Sequence, residues 1–155
     1  RYKVIGIDID IRKHAKKVLN SHKYSKNITT FQGSSNSSII LSKISKISEN
    51  YKKILVCLDS AHTHQHVLSE LKNYSNFVSK NSYLVVFDTT VSTFDDKNIK
   101  KISKFYSYKP FGKNSNPFTA IKKFLKSNKN FIINNEPFNK ALISNCYSGF
   151  LKKIR

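Results

Sequence analysis

The chain has 155 residues, 39% of them hydrophobic, a size and composition that fit one folded domain with a real core. Its formal charge of +19, from 28 Lys and Arg against 9 Asp and Glu, would ordinarily point to a polyanionic partner. No apolar run approaches the roughly 20 residues that span a bilayer, and no charged-then-apolar leader is present, which excludes a transmembrane helix from this sequence.

In chain order, Lys3 to Ile9 is a short apolar run carrying acid at Asp8, the pattern of a strand buried on both faces of a parallel sheet. The chain starts at Arg1 rather than Met and enters this strand at once, so a fragment or processed product is expected. Arg12 to Asn20 is predicted to cross over as a helix, and Ile28 to Gln32 is a second strand closed by Gly33-Ser34-Ser35. Ser38 to Ser48, with Ile39, Ile40, Ile44 and Ile47, is an amphipathic helix. Lys53 to Leu58 is a third strand, followed by Asp59 and by a helix from His64 to Tyr74 with Thr63 as N-cap. Tyr83 to Phe87 is a fourth strand, running into Asp88.

Thr89 to Asn116 is polar, lysine-rich and irregular, as expected of a lid or binding loop. Pro117 then opens a helix with Phe118, Ile121, Phe124 and Leu125 on its apolar face. Phe131 to Ile133 starts a fifth strand, and Leu142 to Ile154, turning at Ser148-Gly149, is expected to close the sheet as an antiparallel hairpin. Strands alternating with helices predict an α/β fold, a single domain over 1–155 built on a mostly parallel sheet.

Ligands of such sheets bind beyond the carboxyl ends of the strands, which is where Asp8, Asp59 and Asp88 fall. Asp8 is placed to accept hydrogen bonds from a cofactor ribose; capping the next helix is the alternative. Asp59 and Asp88 end strands expected to be neighbours, so they either converge on a hard cation such as Mg²⁺ or serve as caps. His62, His64 and His66 alternate at a strand-helix junction and point different ways, which disfavours a zinc cluster. His62 alone is the candidate general base. The glycines, Gly6, Gly33, Gly112 and Gly149, form no dinucleotide or Walker loop, so a first strand and its cofactor loop are expected upstream of Arg1.

Lys16-Lys17, Lys52-Lys53, Lys100-Lys101, Lys122-Lys123 and Lys152-Lys153 are scattered pairs rather than a run or helical stripe, so nucleic acid is not the expected partner. Cys57 and Cys146 lack C-x-x-C spacing, which points to a reducing, cytoplasmic compartment and to no thiol catalysis.

The segment Leu58-Asp59-Ser60-Ala61-His62-Thr63-His64-Gln65-His66-Val67-Leu68-Ser69-Glu70-Leu71, with Ser82-Tyr83-Leu84-Val85-Val86-Phe87-Asp88-Thr89, resembles the core of the cephalosporin hydroxylase and rhamnosyl O-methyltransferase family. Gly6 to Arg12, Gly33 to Ser35, Asn116 to Leu125 and Gly149 to Lys153 extend the resemblance in order over nearly the whole chain. It implies a Rossmann-like methyltransferase fold that uses S-adenosylmethionine, with Mg²⁺ assisting methyl transfer to a hydroxyl of a sugar, glycoconjugate or natural product. It also implies a cofactor ribose contact at Asp8 and metal ligands at Asp59 and Asp88; Asp10, Gly33, Ser34 and Ser35 are further candidate cofactor contacts beside Asp8, and His62 is the candidate auxiliary base. One departure is that the family pattern has an acidic pair after the fourth strand, where this chain has Phe87 before Asp88. The rival expectation is a non-catalytic basic module on a degenerate methyltransferase fold, binding acidic glycan or nucleic acid. A homo-oligomer is compatible with either.

Overall fold

The computed structural model describes residues 2–105, 112–141 and 143–155. The chain forms two compact units, residues 1–47 and 48–155. In the first, β1 (Val4–Asp8) pairs in parallel with β2 (Ile28–Gln32), in a register that sets Val4 opposite Ile28 and Asp8 opposite Gln32. Between them runs α1 (Lys13–Ser21), and α2 (Ser38–Ser48) follows. Ile40 and Ile44, one turn apart, are the buried residues of α2, whereas Ile39 faces solvent.

The expectation that β1 is buried on both faces is corrected. Val4 is 56% and Ile9 71% exposed, and the residues between are at most partly buried. Among the described residues β1 pairs only with β2, so this two-stranded sheet gives it neither a second neighbour nor two covered faces.

The second unit is built on a four-stranded sheet in the order β3-β4-β6-β5. β3 (Val56–Leu58) and β4 (Tyr83–Val86) are parallel, with Leu58 opposite Val86. β3 is shorter than its apolar run because the backbone of Ile54 is diverted: its N–H donates to Ser79 Oγ and its carbonyl accepts from Ser79 N–H. Helix α3 (His64–Tyr74) begins where Thr63 Oγ1 accepts the His66 N–H. α4 covers Asp96–Ser103, and α5 (Pro117–Ser127) starts with a capping box between Asn116 and Thr119. Val67, Leu71 and Tyr74 of α3, Ala120, Ile121 and Phe124 of α5, and Leu84, Val86, Phe131 and Leu151 of the sheet make the core.

Two further expectations are corrected. The polar stretch after β4 is partly regular where it is described: Thr89–Thr93 forms a 3-10 turn, and α4 is capped by Asp95, whose Oδ1 accepts the Asn98 N–H at 2.7 Å, while Gly112 to Asn116 is turn and bend with an isolated bridge between Gly112 and Ser115. Ile99 and Ile102 pack with Val91, a minimal apolar stripe that surrounding lysines hide from a composition scan. Tyr106 to Phe111 of the expected lid lie outside the described residues.

The C-terminal segment is not a hairpin. β5 (Phe131–Ile133) leads through α6 (Glu136–Lys140) to a single strand, β6 (Phe150–Lys153), which inserts between β4 and β5, antiparallel to both. What selects this place is Leu151, fully buried and paired with both Leu84 and Ile133. Lys153 adds to it by donating to the Ser75 and Val78 carbonyls. Among the described residues no helix is long and apolar enough to cross a membrane.

Entry into β6 depends on Gly149. Its carbonyl accepts the Val86 N–H at 2.9 Å and its own N–H donates to Cys146, so the two backbones lie so close that an added Cβ would collide with the Val86 carbonyl oxygen. Backbone cannot rotate aside as a side chain can. Gly149→Ala is therefore expected to lose about 1–3 kcal/mol, read as a lowered denaturant midpoint; a midpoint equal to the parent's would show that the approach is not constrained.

Candidate functional site

The parallel pairing of β3 with β4 brings their carboxyl ends together, and the chain leaves each of them through an acid. Asp59 directly follows β3, and Asp88 follows β4 after Phe87. His62 and Asp88 both hold left-handed backbone, with φ of 47° and 56°. That conformation costs a residue with a Cβ roughly 1–2 kcal/mol, and here it turns the chain so that three side chains meet. His62 Nε2 lies 3.7 Å from Asp59 Oδ1 and 3.2 Å from Asp88 Oδ2. One ligand atom from each of the three falls within 4.8 Å of the others, and among the described residues this is the group that could hold a metal ion. The His62 side chain is 13% exposed, Asp88 26% and Asp59 62%, so the cluster opens to solvent on the Asp59 side.

Asn145, which nothing in the sequence singled out, supports this arrangement. Its Nδ2 donates to Asp88 Oδ1 at 2.7 Å, leaving Oδ2 towards His62. Its carbonyl accepts from the Thr90 N–H and the Thr89 hydroxyl, stitching the segment before β6 to the turn after β4. The contact spans 57 residues of chain and has no local signature.

The three alternating histidines have three separate destinations. His62 faces the two aspartates; His64 Nδ1 meets Thr119 Oγ1 at 2.7 Å; His66 Nε2 lies 3.3 Å from Glu70 Oε1. Glu70 is 2% exposed, and its other oxygen accepts the Ser60 hydroxyl at 2.7 Å. The loop that carries Asp59 and His62 is thus tied to α3 from below through Ser60.

Helix capping does not account for the strand-end acids. The N-cap of α1 is Arg12 and that of α3 is Thr63, while Asp88 makes no side-chain cap to the turn after it. In the first unit, Asp8 Oδ1 accepts the Asp10 N–H at 2.9 Å, and the Asp8 carbonyl accepts the Gly33 N–H at 2.8 Å. Asp10 makes a loose, exposed pair with Arg12 at 3.9 Å, and Ser34 Oγ accepts the Asn36 N–H. Asp8, Asp10 and the Gly33-Ser34-Ser35 turn are therefore grouped at one end of the β1-β2 pair, with Gly33 at φ 149°, a conformation that L side chains rarely adopt. Neither thiol is activated. Desolvation, with the Asp59 carboxylate, pushes Cys57 up, and Cys146 is raised mainly by burial.

Burial, reinforced by the Glu70 charge, pushes Tyr74 up to about 12 from an ordinary 10.0. The folded chain therefore keeps a proton that the unfolded chain gives up near pH 10, so stability is complete below that pH and falls as pH rises towards 12. The loss is expected to reach about 2 kcal/mol. Tyr74→Phe should remove that part of the alkaline decline in denaturant titrations; an unchanged decline would place its origin elsewhere.

A family model described as rhamnosyl O-methyltransferase/CmcI matches residues 1–154. No curated protein and no solved structure matches the chain.

Proposed function

Because the chain belongs to the rhamnosyl O-methyltransferase/CmcI family, we propose that it transfers the methyl group of S-adenosylmethionine to a hydroxyl of a sugar, glycoconjugate or natural product, with a divalent cation assisting. The family name indicates an O-methyltransferase, and a methyltransferase family implies S-adenosylmethionine as donor. The observation that carries the proposal to this chain is the convergence of Asp59, His62 and Asp88 at the carboxyl ends of two parallel strands.

S-adenosylmethionine supplies an already activated methyl, so the protein's part is to place the acceptor oxygen and ease its deprotonation. In the first unit, Asp8 would accept ribose hydroxyls, while Asp10 and the Gly33-Ser34-Ser35 turn offer further polar contacts at the same strand ends. In the second, Asp59 and Asp88 would hold the cation, which lowers the pKa of a hydroxyl bound to it. Asn145 fixes the carboxylate of Asp88 so that it need not reorganise on loading. His62, 3.2 Å from Asp88, is kept in place between the two acids, either as proton acceptor or as a third donor to the cation.

Methyl transfer from labelled S-adenosylmethionine to a panel of sugar hydroxyls, with and without chelator, tests the reading. Asp59→Ala is expected to lower the cation-dependent rate at least about 100-fold with the circular dichroism unchanged. Activity equal to the parent's would sink the cation assignment, and failure of calorimetric titration to detect S-adenosylmethionine binding would sink the methyltransferase reading itself.

A further inference from the structure

We infer that the cation of this site is a first-row transition ion of the Mn²⁺ to Zn²⁺ class, bound through His62 Nε2 as well as through Asp59 and Asp88, rather than an all-oxygen ion such as Mg²⁺. The inference deepens the cation-assisted reading above and rests on it. It concerns the identity of the third donor.

The donor set itself carries the argument. Mg²⁺ favours oxygen ligands and retains much of its water, whereas imidazole nitrogen suits the later first-row ions. At this site the imidazole is not a bystander. Nε2 sits nearer to each carboxylate than the span of the whole cluster, at 3.7 Å from Asp59 and 3.2 Å from Asp88, inside a group whose ligand atoms all lie within 4.8 Å of one another. An ion between the two aspartates would have this nitrogen as its neighbour.

His62 is also the least exposed of the three groups, and its left-handed backbone is a conformation that a residue carrying a Cβ rarely adopts. The other two histidines of the segment are engaged elsewhere, His64 with Thr119 and His66 with Glu70, so the nitrogen donor is His62 specifically. Two carboxylates and a neutral imidazole offset the charge of a divalent ion, and three protein donors leave further positions on a five- or six-coordinate ion for water or an acceptor oxygen. Asn145 completes the set by holding the far oxygen of Asp88.

The decisive experiment is titration of the metal-free protein with Mn²⁺, Co²⁺ and Mg²⁺ by calorimetry, coupled to pulsed electron paramagnetic resonance of the Mn²⁺-loaded protein. One site per chain is expected, at least about tenfold tighter for Mn²⁺ and Co²⁺ than for Mg²⁺, with nitrogen coupling from a directly bound imidazole. His62→Ala should remove that coupling and weaken Co²⁺ about tenfold or more, while changing Mg²⁺ affinity far less. His64→Ala should leave the coupling in place. Absence of nitrogen coupling in the parent, a measurement that depends on no variant, overturns the inference. So does a site that prefers Mg²⁺ and is lost in Asp59→Ala but indifferent to His62→Ala; that outcome leaves the cation-assisted methyltransferase reading standing. Binding of none of the three ions overturns both.

Discussion

The second unit depends on one constraint, the parallel register of β3 and β4 that sets Leu58 opposite Val86. Neighbouring strands lie about 4.8 Å apart, so two acids that leave such strands at the same end are brought within reach of one another without any long-range search by side chains. The backbone then does the aiming. Left-handed residues at His62 and Asp88 reverse the chain just beyond each strand, and the Ser60–Glu70 bond and the Asn145–Asp88 bond hold those reversals from the helix side and from the β6 side. Removing either tie would free a strained turn to relax, and the register alone would no longer bring the three side chains to one place.

Much of this was legible locally. β2, α2 and α3 fall where their apolar spacing puts them, and Thr63 and Pro117 mark the helix starts because capping chemistry is confined to a few adjacent residues. The strand-end acids were legible for the same reason, since a short apolar run ending in Asp is a local pattern. What the sequence could not display is pairing at a distance. β6 inserts between β4 and β5 because Leu151 finds Leu84 and Ile133 there, and nothing within 142–154 distinguishes that from a hairpin. Asn145 was hidden by the same physics, and α4 by a stripe of only two isoleucines among lysines.

The histidines show why spacing alone is a poor guide to ligation. Alternate residues at a strand-helix junction sample three directions, and each ring here meets a different partner. Counting histidines would have suggested a cluster that does not exist, while the group that does converge draws one histidine and two acids from two separate strand ends. Phe87, where a second acid was expected, brings no carboxylate to the group, and the imidazole of His62 reaches Asp88 from the neighbouring strand end.

The net charge of +19 bears on the site in a way opposite to its usual meaning. A strongly basic protein repels cations at long range, so a divalent ion gains nothing from the overall field in reaching Asp59 and Asp88. That field is screened over about 8 Å at physiological ionic strength, however, and a ligand cluster spanning less than 5 Å acts within that length. Any cation affinity at this site would therefore have to come from local donors held in position, and the ties through Asn145 and Ser60 are of that kind. Bulk composition and site chemistry are separable here because they operate on different length scales, and a few acids among many lysines can define the chemistry without altering the average.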